Sequence, residues 1–255
     1  MNMVYLLLYV IAAMIVGFVM VKTYQEKDRM RRYVIVLLAL AMICIVSYSV
    51  NFMTDNYNVM SAATSIMMAA QDFLLVSLFI YTTEFARISN KVTKVMTIAA
   101  FVIAIIDSVV FIANIFNEIA VKYSLVKCDG IYVLGYEGEL WFGIHAVMSM
   151  IITACIIAVL VIKCIHIPGA YWGRYIVMAA GLAIIILIKC VFIYKIIDLR
   201  FDISIFLYAF IGVMVYWNTF WYSKKNMLTI THAMIIDHMH VPVILFDYEG
   251  VLADF

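Results

Sequence analysis

Four ionisable side chains lie inside long apolar runs of the sequence, where no water solvates a charge. They are Asp72, Asp107, His145 and Lys189. A charged group at mid-membrane costs about 2.5 to 3.5 kcal/mol on insertion scales, so each of them requires a partner or a function. Asp107, His145 and Lys189 are predicted to lie at similar depth on three different helices. An acid, an imidazole and an ammonium group placed in this way can form a polar ligand-binding pocket.

Each of these residues also has a purely structural interpretation. Lys189 either pairs with Asp107 when the pocket is empty or extends its ammonium group to the membrane interface, where His145 would then also lie. Asp72 and its neighbour Gln71 either contribute to ligand binding and signalling or anchor neighbouring helices through hydrogen bonds. The candidate ligand-binding residues are therefore Asp72, Gln71, Asp107, His145 and Lys189.

The elements that must position these residues are seven uninterrupted apolar runs. Hydrophobic residues make up 67% of the 255 residues, well above the proportion in soluble domains. Each run can cross a hydrocarbon core of about 30 Å as a helix, the form that satisfies backbone hydrogen bonds in lipid. The runs are 3–21, 33–53, 59–85, 95–116, 140–162, 175–194 and 203–222. The sequence predicts an all-α integral membrane protein built as a seven-transmembrane helix bundle.

Basic residues in the connections predict how the bundle is oriented. Twelve lysines and arginines fall in the connections on one side and four fall on the other. Because cytoplasmic loops are enriched in Lys and Arg, the N-terminus is predicted outside the cell and the C-terminus in the cytoplasm. The protein is thus expected to be a multi-pass protein of the cell membrane with the lipid bilayer as a partner. The scattered charges form no basic stripe, so no nucleic-acid partner is predicted.

Motifs for catalysis or metal binding are missing from the sequence. The five cysteines show neither paired spacing nor CxxC. No HExxH, GxSxG or GxxxxGK[ST] occurs, and His238 with His240 is interpreted as part of a solvated linker surface. The sequence therefore predicts no catalytic residue, no metal site and no cofactor in this chain. Any enzyme activity would lie beyond residue 255.

The segments outside the apolar runs have patterns of their own. In the loop 117–139, two β-prone runs flank Asp129-Gly130, which predicts either a hairpin that forms a small outer lid or an irregular solvated loop. Residues 223–240 have the pattern of a cytoplasmic linker helix. Residues 241–255 then read as a strand, a Gly-containing turn and a second strand.

This order of parts resembles the N-terminal seven-transmembrane region of histidine kinases, a bacterial sensor module. The ending "PVILFDYEGVLADF" looks like the first two strands of a PAS domain, so the chain is expected to be a fragment of a longer protein. The resemblance implies a sensor bundle at 1–222, a linker at 223–240 and the start of a PAS-like domain at 241–255. A stimulus outside or within the bilayer would pass to a cytoplasmic histidine kinase or diguanylate cyclase, as in two-component systems. A small-molecule ligand and a homodimer formed through the linker helix are expected.

Other membrane functions are also compatible with parts of the sequence. A small-molecule transporter or channel is suggested by Asp72, Asp107 and Lys189 within spans, although no inverted repeat or pair of broken helices is seen. A retinal photoreceptor is disfavoured because Lys189 lies on the sixth predicted helix and the seventh has no lysine. A b-type haem protein is disfavoured because His145 is the only histidine within a span.

Overall fold

The computed structural model describes residues 2–88, 90–128, 131–167, 172–193, 204–222, 245–246 and 251–254. The protein is mostly helical, and six of its helices are long and apolar enough to cross a membrane. They are α1 (Asn2–Gln25), α2 (Arg31–Ser49, followed by a 3-10 turn at Val50–Phe52), α3 (Tyr57–Phe85), α4 (Lys91–Asn117), α5 (Leu140–Ile165) and α6 (Trp172–Ile193). A shorter apolar helix, α7 (Ser204–Tyr216), continues as a π-helical segment at Trp217–Trp221.

Polar caps decide where two of these helices begin. The Asn56 side chain accepts hydrogen bonds from backbone N–H groups in the first turn of α3, which therefore starts before the predicted run 59–85. Asn90 and Thr93 form a capping box that starts α4 at Lys91, ahead of the predicted run 95–116. Hydropathy could not place these boundaries because capping residues are polar.

α3 is the central helix of the bundle. It packs against α2, α4 and α5, and 78% of its most apolar window is buried. The corresponding share for the other five membrane-length helices is 28 to 33%. Their outward faces carry exposed apolar side chains such as Leu7, Val109, Ile151 and Leu187. Such faces require lipid as their solvent, which is the reverse of the pattern on a water-soluble helix.

Close packing joins α7 to the first two helices. The ring of Tyr9 on α1 stacks on that of Phe206 on α7, with 4.4 Å between centroids, and on that of Phe52 at 5.2 Å. Gly212 lies so close to α2 that a Cβ atom in its place would be 2.7 Å from the Leu38 side chain. A small residue at this point lets the two helices approach, as is common in membrane bundles.

The connection between α4 and α5 is a β-hairpin, so of the two interpretations of this loop the hairpin is confirmed. Strand β1 (Val121–Cys128) pairs antiparallel with β2 (Ile131–Gly138), from Val121 opposite Gly138 to Cys128 opposite Ile131. The predicted turn residues, 129 and 130, lie outside the described residues. The phenol of Tyr123 reaches into the bundle, where its oxygen lies 3.3 Å from Oγ of Ser65 on α3. Burial raises the pKa of Tyr123, so this hydroxyl stays protonated at neutral pH.

Two long-range contacts define the ends of the bundle. At one end, Arg29 in the α1–α2 connection forms an ion pair with Glu84 in the last turn of α3. At the hairpin end, the hydroxyl of Tyr57 in the first turn of α3 donates to Glu118 after α4, at 2.5 Å. The α1–α2 and α3–α4 connections therefore lie at one end of the bundle, and the α2–α3 and α4–α5 connections lie at the other.

Two short strands lie near the C-terminus. Strands β3 (Leu245–Phe246) and β4 (Leu252–Asp254) pair antiparallel, with Leu245 opposite Asp254. This pairing agrees with the predicted strand, turn and strand. The predicted turn and the predicted linker helix at 223–240 lie outside the described residues.

Candidate functional site

Three of the predicted site residues meet inside the bundle, one from each of three helices. Asp72 lies in the middle of α3, and His145 lies in the second turn of α5. Asp107 lies about 15 Å, measured along the helix axis, from the C-terminal end of α4. Nδ1 of His145 is 2.6 Å from Oδ2 of Asp107 and 3.3 Å from Oδ1 of Asp72. At most 8% of any of the three side chains is exposed. We call these residues the Asp–His–Asp cluster.

The cluster has more hydrogen-bond acceptors than donors. Nδ1 of His145 can carry one hydrogen, and both carboxylates compete for it. Oδ2 of Asp72 is buried and has no hydrogen-bond partner among the described residues. Because an ionised carboxylate is expensive to bury unless its oxygens are satisfied, this arrangement favours a further proton or cation beside Asp72.

Trp141 completes the surroundings of Asp107. Its indole Nε1–H donates to Oδ1 of Asp107 at 2.7 Å, so both oxygens of this carboxylate have partners on α5. The ring of Phe111 meets the His145 ring edge to face, with centroids 4.9 Å apart. The cluster is thus held between helices by hydrogen bonds and packed against the aromatic ring of Phe111.

Lys189 lies beside the cluster and lines a cleft between α3, α5, α6 and α7. Its charge acts on both Asp72 and His145. The cleft has a volume of about 30 Å³ and is mostly apolar, with Ser149, Thr153 and Tyr208 as further polar lining residues. About 30 Å³ admits one or two water molecules. The partners that the structure gives Asp107 are His145 and Trp141, and the predicted pair between Asp107 and Lys189 stays a prediction.

Gln71 is also buried in the bundle, with 2% of the residue exposed. Its Nε2 has no hydrogen-bond partner among the described residues. Successive residues of a helix point about 100° apart, so Gln71 presents a different face of α3 from Asp72. A role for Gln71 in ligand binding stays a prediction.

Sequence reasoning grouped these residues differently from the structure. It placed Asp107 and His145 at similar depth, and the structure brings these two side chains into contact. It considered Asp72 apart from them, either as a ligand-binding residue or as an anchor between neighbouring helices, whereas the structure brings Asp72 to within 3.3 Å of His145. An indole near the end of a span usually lies in the aromatic belt at the membrane interface, whereas the indole N–H of Trp141 donates a hydrogen bond to Asp107. The spacing of four residues between Trp141 and His145 was the available signal, since residues four apart share one face of a helix.

The geometry limits what the cluster can do. Two carboxylates and an imidazole from three helices can share and release protons, or bind a cation. A change at any of them alters how α3, α4 and α5 are held together. The cluster is therefore able to couple a chemical event inside the bundle to helix packing.

Comparison with known proteins identifies the family of the chain. The sequence profile of the family described as "N-terminal 7TM region of histidine kinase" matches residues 5–227. No curated protein gives a significant match. The matched segment runs from α1 to just past the π-helical segment and contains the whole Asp–His–Asp cluster. On this match, which covers most of the chain, the protein belongs to the family of N-terminal seven-transmembrane regions of histidine kinases.

Proposed function

We propose that the chain is the membrane input module of a bacterial signal-transduction protein. It detects a stimulus outside the cell or within the bilayer and passes it to a cytoplasmic output domain, a histidine kinase or, in a variant of the same design, a diguanylate cyclase. The single observation that carries the proposal is the family match over residues 5–227. The buried Asp–His–Asp cluster supports it, because such a cluster is costly to keep in a membrane and has no evident use in a passive anchor.

The proposed topology has seven spans, with the N-terminus outside and the C-terminus in the cytoplasm. Six described helices have the length and composition of spans, and α7 together with the π-helical segment would form the seventh. The excess of basic residues favours the Arg29–Glu84 end as the cytoplasmic end. The hairpin then covers the bundle on the outer side.

The route of the signal is proposed to run through the inner end of α7. There the Tyr81 hydroxyl of α3 and Oγ1 of Thr219 are 2.7 Å apart, and Thr219 also donates to the Val215 carbonyl. Thr219 lies in the π-helical segment, a form of helix that frequently occurs at functional sites. α3 thus contacts both the cluster and the last helix, which leads towards the proposed linker at 223–240.

The parts after α7 extend the proposal. Residues 223–240 would form a linker helix that pairs with its copy in a homodimer, and residues 241–255 would begin a PAS-like domain. The antiparallel pair of β3 and β4 supports the second point. Two coaxial linker helices can transmit a small rotation or shift as a two-state element.

Insertions in the linker of the full-length gene product test this function. One to seven alanines are inserted after Lys225, and autophosphorylation is measured in nanodiscs. Each inserted residue rotates a continuous helix by about 100°. We therefore expect autophosphorylation to rise and fall with the number of inserted alanines and to recover near seven alanines, which is about two full turns. A coding sequence without an output domain beyond residue 255, or output independent of insertion length, would contradict the proposal.

A transporter remains the second candidate because intramembrane carboxylates and histidines also form proton relays in transporters. The Asp–His–Asp cluster is the observation that favours it. Proton or solute flux in proteoliposomes that carry the chain, lost in Asp107→Asn, would support this candidate over a sensor.

A further inference from the structure

The Asp–His–Asp cluster has the composition of a metal site. Asp72, Asp107 and His145 each offer one ligand atom, and these three atoms all lie within 4.8 Å of one another. Carboxylate oxygens and an imidazole nitrogen are ligands of divalent first-row transition metals, with bond lengths of about 2.0–2.2 Å for Zn²⁺. Ligand atoms at such distances around a common metal are about 3 Å apart or more. The gap of 2.6 Å between His145 and Asp107 needs to open by only a few tenths of an ångström.

A second observation also points to a cation. Oδ2 of Asp72 has no hydrogen-bond partner within the described part of the chain, and only 7% of this side chain is exposed to solvent. Among the described residues, the hydrogen-bond donors to the two carboxylates are one indole N–H and one imidazole nitrogen. Two donors cannot satisfy four buried carboxylate oxygens. A divalent cation bound by both carboxylates would take the place of the hydrogen-bond donors that these oxygens lack.

The surroundings also match those of a metal site. Metal-binding carboxylates are commonly fixed by a hydrogen bond from an outer group, and Trp141 supplies one to Oδ1 of Asp107 while Oδ2 faces the cluster. The ligands come from three different helices, so the site is assembled only in the folded bundle. Metal binding would therefore fix the distances between α3, α4 and α5.

We propose that Asp72, Asp107 and His145 bind a divalent transition-metal ion of the Zn²⁺ or Mn²⁺ class inside the bundle. The neutral His145 ring, with its hydrogen on Nε2, coordinates the ion through the lone pair of Nδ1, and a proton held at Nδ1 before binding is released to solvent. The ion's two positive charges balance the two carboxylates. Metal binding is proposed independently of the sensor role. We further propose that the metal is the stimulus, and this second point rests on the proposed function.

Cobalt(II) is the probe, because its visible absorption reports nitrogen and oxygen ligation directly. The whole protein in nanodiscs is titrated with Co²⁺ and then with competing Zn²⁺ or Mn²⁺. We expect one Co²⁺ per chain, and affinity weaker by more than about 100-fold in Asp107→Asn and Asp72→Asn. The matched control is Asp55→Asn, since Asp55 is an exposed carboxylate outside the cluster, and it should leave binding unchanged.

X-ray absorption of the bound metal keeps the test independent of variants that fold poorly. One imidazole and a shell of oxygen ligands at about 2.0–2.2 Å are expected for bound Zn²⁺. Absence of saturable Co²⁺ binding, or equal affinity in Asp107→Asn and the parent protein, would overturn the proposal. So would an infrared band of protonated carboxylic acid that persists at saturating Co²⁺ and is lost in Asp72→Asn. The last result would mean that a proton occupies the place of the metal. Metal binding without any change in autophosphorylation would leave the site standing and contradict a role of the metal as the stimulus.

Discussion

Trp141 restricts the motion of Asp107, because its indole N–H donates to one carboxylate oxygen while the other oxygen faces His145. Asp107 then presents Oδ2 to the cluster without having to select its rotamer during binding. The tryptophan sits four residues before His145, on the same face of α5. One turn of α5 therefore supplies both a proposed metal ligand, His145, and the indole of Trp141 that orients a second ligand, Asp107.

Replacing Trp141 by phenylalanine tests this orienting role. Trp141→Phe keeps an aromatic ring but removes the N–H donor, so we expect Co²⁺ affinity to fall by about tenfold, the lower end for loss of an outer-shell partner. The control is Trp172→Phe, which removes an indole that donates to the Ile167 carbonyl far from the cluster. Equal affinities of the two variants, measured by Co²⁺ titration, would show that Trp141 does not orient Asp107.

Lys189 should oppose a bound cation, since its positive charge acts on the cluster. Lys189→Met removes that charge, so we expect Co²⁺ and Zn²⁺ to bind about tenfold more tightly, or about 1.4 kcal/mol. Lys94→Met, an exposed lysine in the first turn of α4, serves as the control. Weaker metal binding in Lys189→Met would instead favour a pocket in which Lys189 itself holds an anionic ligand.

Among the elements, the hairpin is fastened to α4 through one side chain. Asn114 is completely buried; its Nδ2 donates to the Val121 carbonyl, and its Oδ1 accepts from the backbone N–H groups of Ala120 and Val121. Glu118 ends α4 in a left-handed conformation, with φ of 51°. These contacts turn the chain from α4 into β1 at a fixed angle, which holds Tyr123 over α3.

Asn114→Ala should therefore loosen the hairpin. Three hydrogen bonds are lost and buried backbone groups become unsatisfied, at a cost of about 1–3 kcal/mol. We expect faster backbone hydrogen exchange in β1 and β2, with little change in α1 and α2. Asn117→Ala is the control, because Asn117 makes one long contact, 3.5 Å, to an exposed backbone group. Unchanged exchange in Asn114→Ala would mean that strand pairing alone holds the hairpin.

The hydrogen bond between Tyr81 of α3 and Thr219 of the π-helical segment can also be tested by substitution. Tyr81→Phe removes the hydroxyl that pairs with Thr219, and hydrogen bonds within membrane bundles contribute about 0.6 kcal/mol on average. We expect a double-mutant cycle with Thr219→Val to give a coupling energy of about that size. Basal autophosphorylation should also shift in Tyr81→Phe. Thr219→Ser, which keeps a hydroxyl, should retain basal output near the parent value.

The sequence predicted the helical elements better than their contacts. Apolar runs located the helices because lipid imposes a composition on them, and Asp129-Gly130 indicated the hairpin because few residues adopt such turns. The pairing of Asp72 with His145 could not be predicted, since hydropathy does not specify which helices are neighbours or how each is rotated. The hydrogen bond from Trp141 to Asp107 was not predicted either, because an indole near the end of a span usually lies at the membrane interface.

At the scale of the whole molecule, α3 connects the parts of the bundle. It carries Asp72 at its middle, contacts the hairpin through Ser65 and meets the π-helical segment through Tyr81. A metal ion or proton at the cluster changes the forces on this helix directly. Because α3 is the most buried helix, a shift in its position has to be accommodated by its neighbours, including the helix that leads to the proposed output domain.

Orientation of this assembly in the membrane is open to a direct test. In a background without the five native cysteines, single cysteines replace the exposed residues Lys27, Asp55, Lys94 and Lys122. A membrane-impermeant maleimide should label Asp55→Cys and Lys122→Cys in intact cells. Lys27→Cys and Lys94→Cys should react only after permeabilisation, because they lie at the basic end that the positive-inside rule places in the cytoplasm. The reverse pattern would invert the bundle and place the hairpin inside the cell, and labelling that failed to alternate would contradict the assignment of α2 and α3 as full spans.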